Sequence, residues 1–262
     1  VSGYDVRMWR ITRIAILLFI LASVAQTAWL ARSRTAEWRT SLRVVIYPIN
    51  GDASATSTRY VSALGDGTYE AITDFFSREG ERYGVKTMPP IDLFLAPAIS
   101  SQPPPPPLGP GAVGVMLWSL KLRYWAYWHD THKGPRPDVR VFVLYYDPVL
   151  QPKLPHSTGL QKGQLGVVHA FADAAMDGAN NVVIVHEVLH TLGATDKYVP
   201  GSNQPLYPDG YAEPEAQPLH PQKNAEIMAG RIALSLTRAE TPRSLKRVVI
   251  GSKTAHEINW VK

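Results

Sequence analysis

Residues 183–196 read Val-Ile-Val-His-Glu-Val-Leu-His-Thr-Leu-Gly-Ala-Thr-Asp. His186 and His190 stand four residues apart, which puts both side chains on one face of an α-helix. Two imidazoles on one face can share one metal ion. Glu187, next to the first of them, can lie over the open side of that ion and handle the proton of a water held there. Ile184, Val188 and Leu192 recur at i, i+4 and i+8, so the same helix has an apolar stripe for the core. Gly193 tolerates φ > 0 and predicts that the helix ends there and the chain swings back. The return would bring Asp196 under the ion as a third ligand. The chain has no Cys to close a four-ligand structural site, so three protein ligands leave one position open, as in catalytic zinc.

The string His186-Glu187-x-x-His190-x-x-Gly193-x-x-Asp196 resembles the extended zinc signature of the metzincin metallopeptidases, with Asp as third ligand as in the snapalysin-type variant. The resemblance covers roughly residues 163–231 and is most specific at the zinc helix. It implies an α/β (α+β) domain with a mixed sheet and an active-site helix. It also implies Zn2+ on His186, His190 and Asp196, and a Met in a tight turn beneath the metal. The segment 225–230 (AEIMAG) supplies Met228 for that turn. Many members carry a Tyr two residues after the Met. Gly230 stands there, so a Tyr that stabilises the transition state would come from elsewhere, such as Tyr198, Tyr207 or Tyr211, or be absent.

The activity implied is zinc-dependent endopeptidase cleavage of a peptide or protein substrate. Glu187 would take a proton from the metal-activated water and deliver it to the leaving amine. Three other readings stay open. One is hydrolysis of another amide, such as a bond of cell-wall peptide. A second is a gluzincin-like site with a later Glu as third ligand. The third is a membrane-tethered binding module that keeps the helix without catalysis.

The positioning elements follow from patterning. Residues 42–49 (LRVVIYPI), 138–147 (DVRVFVLYYD) and 164–171 (QLGVVHAF) read as strands, and 91–98 as a further short one. The strand at 164–171 precedes the zinc helix, and the resemblance makes it the edge strand above the cleft, with unpaired backbone groups for an extended peptide. Residues 58–83 are helical in pattern, with Gly65-Asp66-Gly67 as a break. Residues 111–128 predict an amphipathic helix whose core face is Val113, Met116, Leu117, Leu120, Tyr124 and Tyr127. Asn180-Asn181 offers an N-cap for the zinc helix. Pro103–Pro107 is a stiff extended surface loop. His129, His132 and His169 read as ordinary polar or packed histidines. Asp209, Glu213 and Glu215 read as a solvated acidic loop, and residues 254–261 as a closing helix.

Composition places the chain among globular proteins: 262 residues, 45% hydrophobic and 19% charged. The formal net charge is +5, but residues 1–40 hold six Arg against Asp5 and Glu37, so nearly all of the excess lies there. The folded part is close to neutral, which argues against nucleic acid as its partner. Residues 14–31 include fifteen apolar residues in 18, with Arg7, Arg10 and Arg13 before them and Arg32 and Arg34 after. That length sits at the short end of a membrane span. The expected organisation is a membrane anchor or export signal at 1–31, a polar tether at 32–41 and a metallopeptidase-like domain at 42–262. The domain would stand outside the cytoplasm, held by the anchor, or secreted after cleavage behind Ser23-Val24-Ala25.

Overall fold

The computed structural model describes residues 38–107, 109 and 111–261, together with Trp9, residues 12–15 and Leu18. The expected membrane segment at 14–31 lies almost wholly outside these. Among the described residues, no helix is long and apolar enough to cross a membrane.

The centre is a five-stranded mixed sheet. Strand β1 (Leu42–Asn50) pairs with β2 (Ile91–Leu95) on one side and β3 (Val139–Tyr146) on the other. Then come β5 (Leu165–Phe171), parallel to β3, and β4 (Thr158–Leu160), antiparallel to β5, giving the order β2-β1-β3-β5-β4. Central parallel strands are covered on both faces, which is why their sequences are continuous apolar runs. Side chains alternate between two cores, as a period of two requires. Val44, Ile46, Val141, Val143 and Val168 face one; Val45, Tyr47, Phe142, Leu144 and Val167 face the other.

Helices α1 (Ala55–Ala63) and α2 (Glu70–Arg82), separated by a short 3-10 turn at Asp66–Tyr69, belong to the first core together with α4 (Asp177–Leu192), the helix that carries His186 and His190. Helix α3 (Ala112–Trp128) covers the second. After α4 the chain forms a loop-rich lobe with strand pairs β6 (Ala225–Glu226) with β9 (Val248–Val249) and β7 (Ile232–Ala233) with β8 (Ala239–Glu240). It ends in α5 (Ser252–Glu257).

Four expectations change. First, β5 is not the sheet edge. The three-residue β4 pairs with its first part, Thr158 opposite Val167 and Leu160 opposite Leu165. A strand that short, in a Pro-rich stretch, has no period to detect. Second, α3 packs through Trp118, Leu122, Trp125 and Ala126, while the six residues expected as its core face are all exposed. Both sides of this helix are apolar, so periodicity could not choose between them. Third, Asn180 and Asn181 lie inside α4 rather than at its start. Fourth, the tether's last residues belong to the domain. Trp38 is buried, meets Trp260 edge-on at 5.5 Å and donates its indole N–H to the Ile258 carbonyl at 2.7 Å. One Trp in a polar run carries no pattern, and only the far end of the chain reveals its partner.

The proline run stays outside regular structure and is held by Trp118, whose Nε1 donates to the Pro104 carbonyl at 2.9 Å. His129 stacks on Trp125, and His132 lies against Phe94. Neither belongs to a metal-binding group among the described residues.

Because Trp38 fills a core site more than 200 residues away in sequence, Trp38→Ala should lower unfolding free energy by about 3–5 kcal/mol. A urea titration of the two proteins measures it; an unchanged midpoint would show that residues 38–41 behave as a free tether.

Candidate metal centre

Helix α4 is set in place before any metal ligand is considered. Asp173 caps the short turn at Ala174–Met176 by accepting from the Ala175 amide at 2.9 Å. Asp177, in the first turn of α4, accepts from the Tyr60 hydroxyl. Asn180 accepts the Phe171 N–H at 3.0 Å and donates to the Phe171 carbonyl at 2.9 Å, so it continues the ladder of β5 with a side chain. Asn181 donates to the Thr68 carbonyl at 3.1 Å. An Asn that satisfies a neighbouring backbone has no need to stand at the cap. Gly193 ends the helix at φ = 109°, and the Gly193 and Ala194 amides close on the His190 and Leu189 carbonyls.

The returning chain brings Asp196 to the two histidines. Its Oδ1 lies 3.2 Å from His186 Nε2 and 3.1 Å from His190 Nε2, and the two Nε2 atoms are 3.0 Å apart. Tetrahedral coordination at the usual zinc bond lengths of ~2.0–2.1 Å places ligand atoms about 3.3 Å apart. The triangle is therefore close to the size a small divalent ion needs. Each imidazole is fixed by its other nitrogen: His186 Nδ1 meets the Ile227 carbonyl and His190 Nδ1 the Ala194 carbonyl, both at 2.9 Å. A carbonyl can only accept, so Nδ1 carries the hydrogen and the neutral ring turns its Nε2 lone pair inward. Two lone pairs and a carboxylate oxygen facing one another repel, and a cation between them relieves that repulsion. His186, His190 and Asp196 form the one group among the described residues that could hold a metal ion.

The electrostatics agree. Burial works against charge on His186, but the hydrogen bond to Asp196, the charge of Glu187 and the Ile227 carbonyl together hold its pKa above the ordinary value. Burial works against charge on Asp196 too, yet both imidazoles hold its carboxyl well below the usual range. Glu187 is pushed up by burial, offset in part by the two histidines. Glu187 lines the cleft, and its Oε2 is buried beside Gly159 with no hydrogen bond of ordinary geometry.

Two carboxylates from the C-terminal lobe, buried Glu226 and half-buried Glu257, hold the loops that carry the carbonyls and Asp196. Glu226 accepts from the amides of Met228 (2.6 Å), Ala229 (2.9 Å) and Gly251 (3.1 Å) and from the Thr254 hydroxyl (2.7 Å). This makes a tight turn of residues 226–230, with Met228 fully buried and Ile227 presenting its carbonyl to His186. Glu257 accepts from the Thr195 amide and hydroxyl and from the buried Lys197 ammonium at 2.7 Å. It thus grips both neighbours of Asp196. The sequence offered no sign of either role, since each Glu meets its partners only after folding.

The site opens into a cleft of about 490 Å3, lined by residues 154–159, His169, Val183, His186, Glu187, His190, Asp196 and Tyr198. Strand β4 crosses α4 at Gly159, where a Cβ would stand 2.5 Å from the Glu187 carbonyl and 2.6 Å from His190 Cβ. Only glycine permits that approach. Of the three tyrosines considered, Tyr198 lines the cleft together with Asp196. Tyr207 is exposed, and Tyr211 bonds to His220 at 3.1 Å; neither lines the cleft. His169 does line it. Burial pushes its pKa down to about 4, and its Nδ1 sits 2.9 Å from the Tyr146 hydroxyl, so it is a neutral wall residue.

No protein-family model matches the chain, and no curated protein matches it. The metzincin resemblance is accordingly carried by the motif and its geometry alone.

Glu257→Ala should loosen the Asp196 loop and weaken metal binding by about 10–100-fold, read by competition with a chromophoric chelator; unchanged affinity would mean that Lys197 and Thr195 hold the loop unaided. Gly159→Ala should push β4 off α4 and cost about 1–3 kcal/mol of stability, measured by thermal denaturation.

Proposed function

We propose that the chain is a zinc-dependent peptidase of metzincin type, whose substrate is an extended peptide lying along β4. The observation that carries this reading is the buried, unpartnered Glu187 Oε2 beside a three-donor site in an open cleft. A carboxylate buried for structural reasons has its oxygens satisfied, as Glu226 does. One with an oxygen left free beside a cation site is equipped to hold a proton.

Zinc, when bound by His186, His190 and Asp196, would supply Lewis acidity toward a carbonyl and lower the pKa of water. Glu187 then acts as the proton carrier. Desolvation has already raised its affinity for a proton, which suits a group that accepts one from water and passes it to a leaving amine. Tyr198, which lines the cleft together with Asp196, is the tyrosine available to donate to a developing oxyanion. Its pKa is raised by burial and by the nearby carboxylates, so it keeps its proton at neutral pH.

Strand β4 contributes the substrate's backbone partner. Its pairing with β5 uses one side only, and it stands at the end of the sheet. The other side is free to pair with an extended peptide, which Gly159 would lay across Glu187 and His190. The expected recognition by an edge strand is thus kept, but on β4 in place of β5. Anchoring of this domain at a membrane by residues 14–31 belongs to the same proposal.

Glu187→Gln should retain one zinc per chain and lower kcat/KM on a peptide substrate by at least about 100-fold. Retained activity would remove Glu187 from the mechanism. His190→Ala should abolish stoichiometric zinc, measured by atomic absorption after dialysis; wild-type protein without zinc even after metal is offered would overturn the reading. Zinc affinity should also fall as pH drops. The pKa of His186 is held above its ordinary value, so the ring takes up a proton as pH falls through that raised pKa and must release it to bind metal. Calorimetry across the acid range checks the direction.

A further inference from the structure

Helix α3 is apolar on two opposite sides, and only one is covered. Trp118, Leu122, Trp125 and Ala126 pack on the sheet. At about 100° per residue, Val113, Met116, Leu117, Leu120, Tyr124 and Tyr127 fall in a stripe about 100° wide on the other side. Each of the six is at least 49% exposed, and Trp128 beside them is 66% exposed. Single exposed apolar residues need no explanation, but a stripe running the length of a 17-residue helix does. A helix that is apolar all round belongs in a core or against lipid.

The stripe's borders narrow the choice. Exposed Lys121 lies along one side and half-buried Arg123 along the other, and the helix has no acidic residue. Tyr124, Tyr127 and Trp128 gather at its C-terminal end. Cations flanking an apolar face that carries Trp and Tyr suit the headgroup region of a bilayer with anionic lipid.

The chain also indicates where such a surface lies. Residues 14–31 hold fifteen apolar residues in 18, and residues 32–37 separate them from Trp38, which is docked on the domain. Six residues reach at most about 20 Å, so a bilayer holding 14–31 would lie within that distance of Trp38. The loop leaving α3 runs to the end of the sheet at which the parallel strands β1 and β3 begin. Its Asp130 binds Tyr47 and Arg140, and its Asp138 binds Arg43, near the start of β1. The aromatic end of α3 therefore stands at the end of the sheet where β1 begins, with Trp38 docked in the core on the other face.

We propose that the outer stripe of α3 is a membrane-contact surface, lying in the interface of an anionic bilayer beside the N-terminal apolar segment. Helix α4 packs on the opposite face of the sheet, so this seating keeps the metal site away from lipid and open to substrate. The inference rests on the proposed anchoring by residues 14–31 and does not depend on the peptidase activity.

The absence of Cys makes the test direct. The full chain is prepared as Leu120→Cys and, as a control on the other face, as Ser62→Cys in α1, each carrying an environment-sensitive fluorophore. Both are reconstituted with vesicles of phosphatidylcholine and phosphatidylglycerol. The expected result is a blue shift of the Leu120→Cys label and several-fold stronger quenching by spin-labelled lipid than at the control. Equal spectra and equal quenching at the two positions would overturn the proposal. So would disulfide-linked dimers of unlabelled Leu120→Cys in place of lipid contact, since a second copy would then cover the stripe.

Discussion

Two imidazoles on adjacent turns of a helix face one point only if something holds their other nitrogens. In this protein two backbone carbonyls do so, from Ile227 and Ala194, each 2.9 Å from an Nδ1. The remainder of the C-terminal lobe follows from that requirement. The Ile227 carbonyl is held by a turn wrapped around the Glu226 carboxylate, and the Ala194 carbonyl by the αL turn at Gly193. Asp196 completes the triangle because Glu257 holds Thr195 and Lys197 on either side of it. Convergent lone pairs repel, so without these outer hydrogen bonds the three donors would turn away from one another.

Three buried glutamates show how environment separates structural from chemical roles. Glu79 binds Arg78, Arg82 and the Ile250 amide, tying α2 to the C-terminal lobe. Glu226 is surrounded by four donors and shapes a turn. Glu187 alone of the three leaves a buried oxygen unpartnered. Leaving a buried polar atom unsatisfied costs about 1–3 kcal/mol. Such a cost is characteristic of functional sites, where binding of an ion, water or substrate relieves it.

The sheet places these parts with few elements. Strand β5 delivers the chain to α4, and the Asn180 side chain locks the helix against the last residue of that strand. Strand β4 returns across the helix at the one residue without a Cβ, which brings a sheet edge and a metal helix into contact. The cleft lies where edge, helix and C-terminal lobe meet, so it has contributions from parts of the chain far apart in sequence.

What could be read from the amino acids was whatever repeats at a fixed local period or depends on neighbours within a turn. The strands at 42–50 and 139–146, the helix break near Gly65, the helical pairing of His186 with His190, the stop at Gly193 and the candidacy of Asp196 are all of that kind. Tertiary structure decided the matters in which two local answers were equally good or in which no local signal exists. It chose which apolar side of α3 meets the sheet, gave the edge to a three-residue strand and moved two asparagines from a cap into the helix, Asn180 against the end of β5 and Asn181 against the Thr68 carbonyl. It selected Tyr198 over Tyr207 and Tyr211, and it recruited Trp38, Lys197, Glu226 and Glu257 through partners up to 220 residues away. Periodicity reports which face of an element can be buried. Which surface actually covers it depends on contacts that exist only once the whole chain has folded.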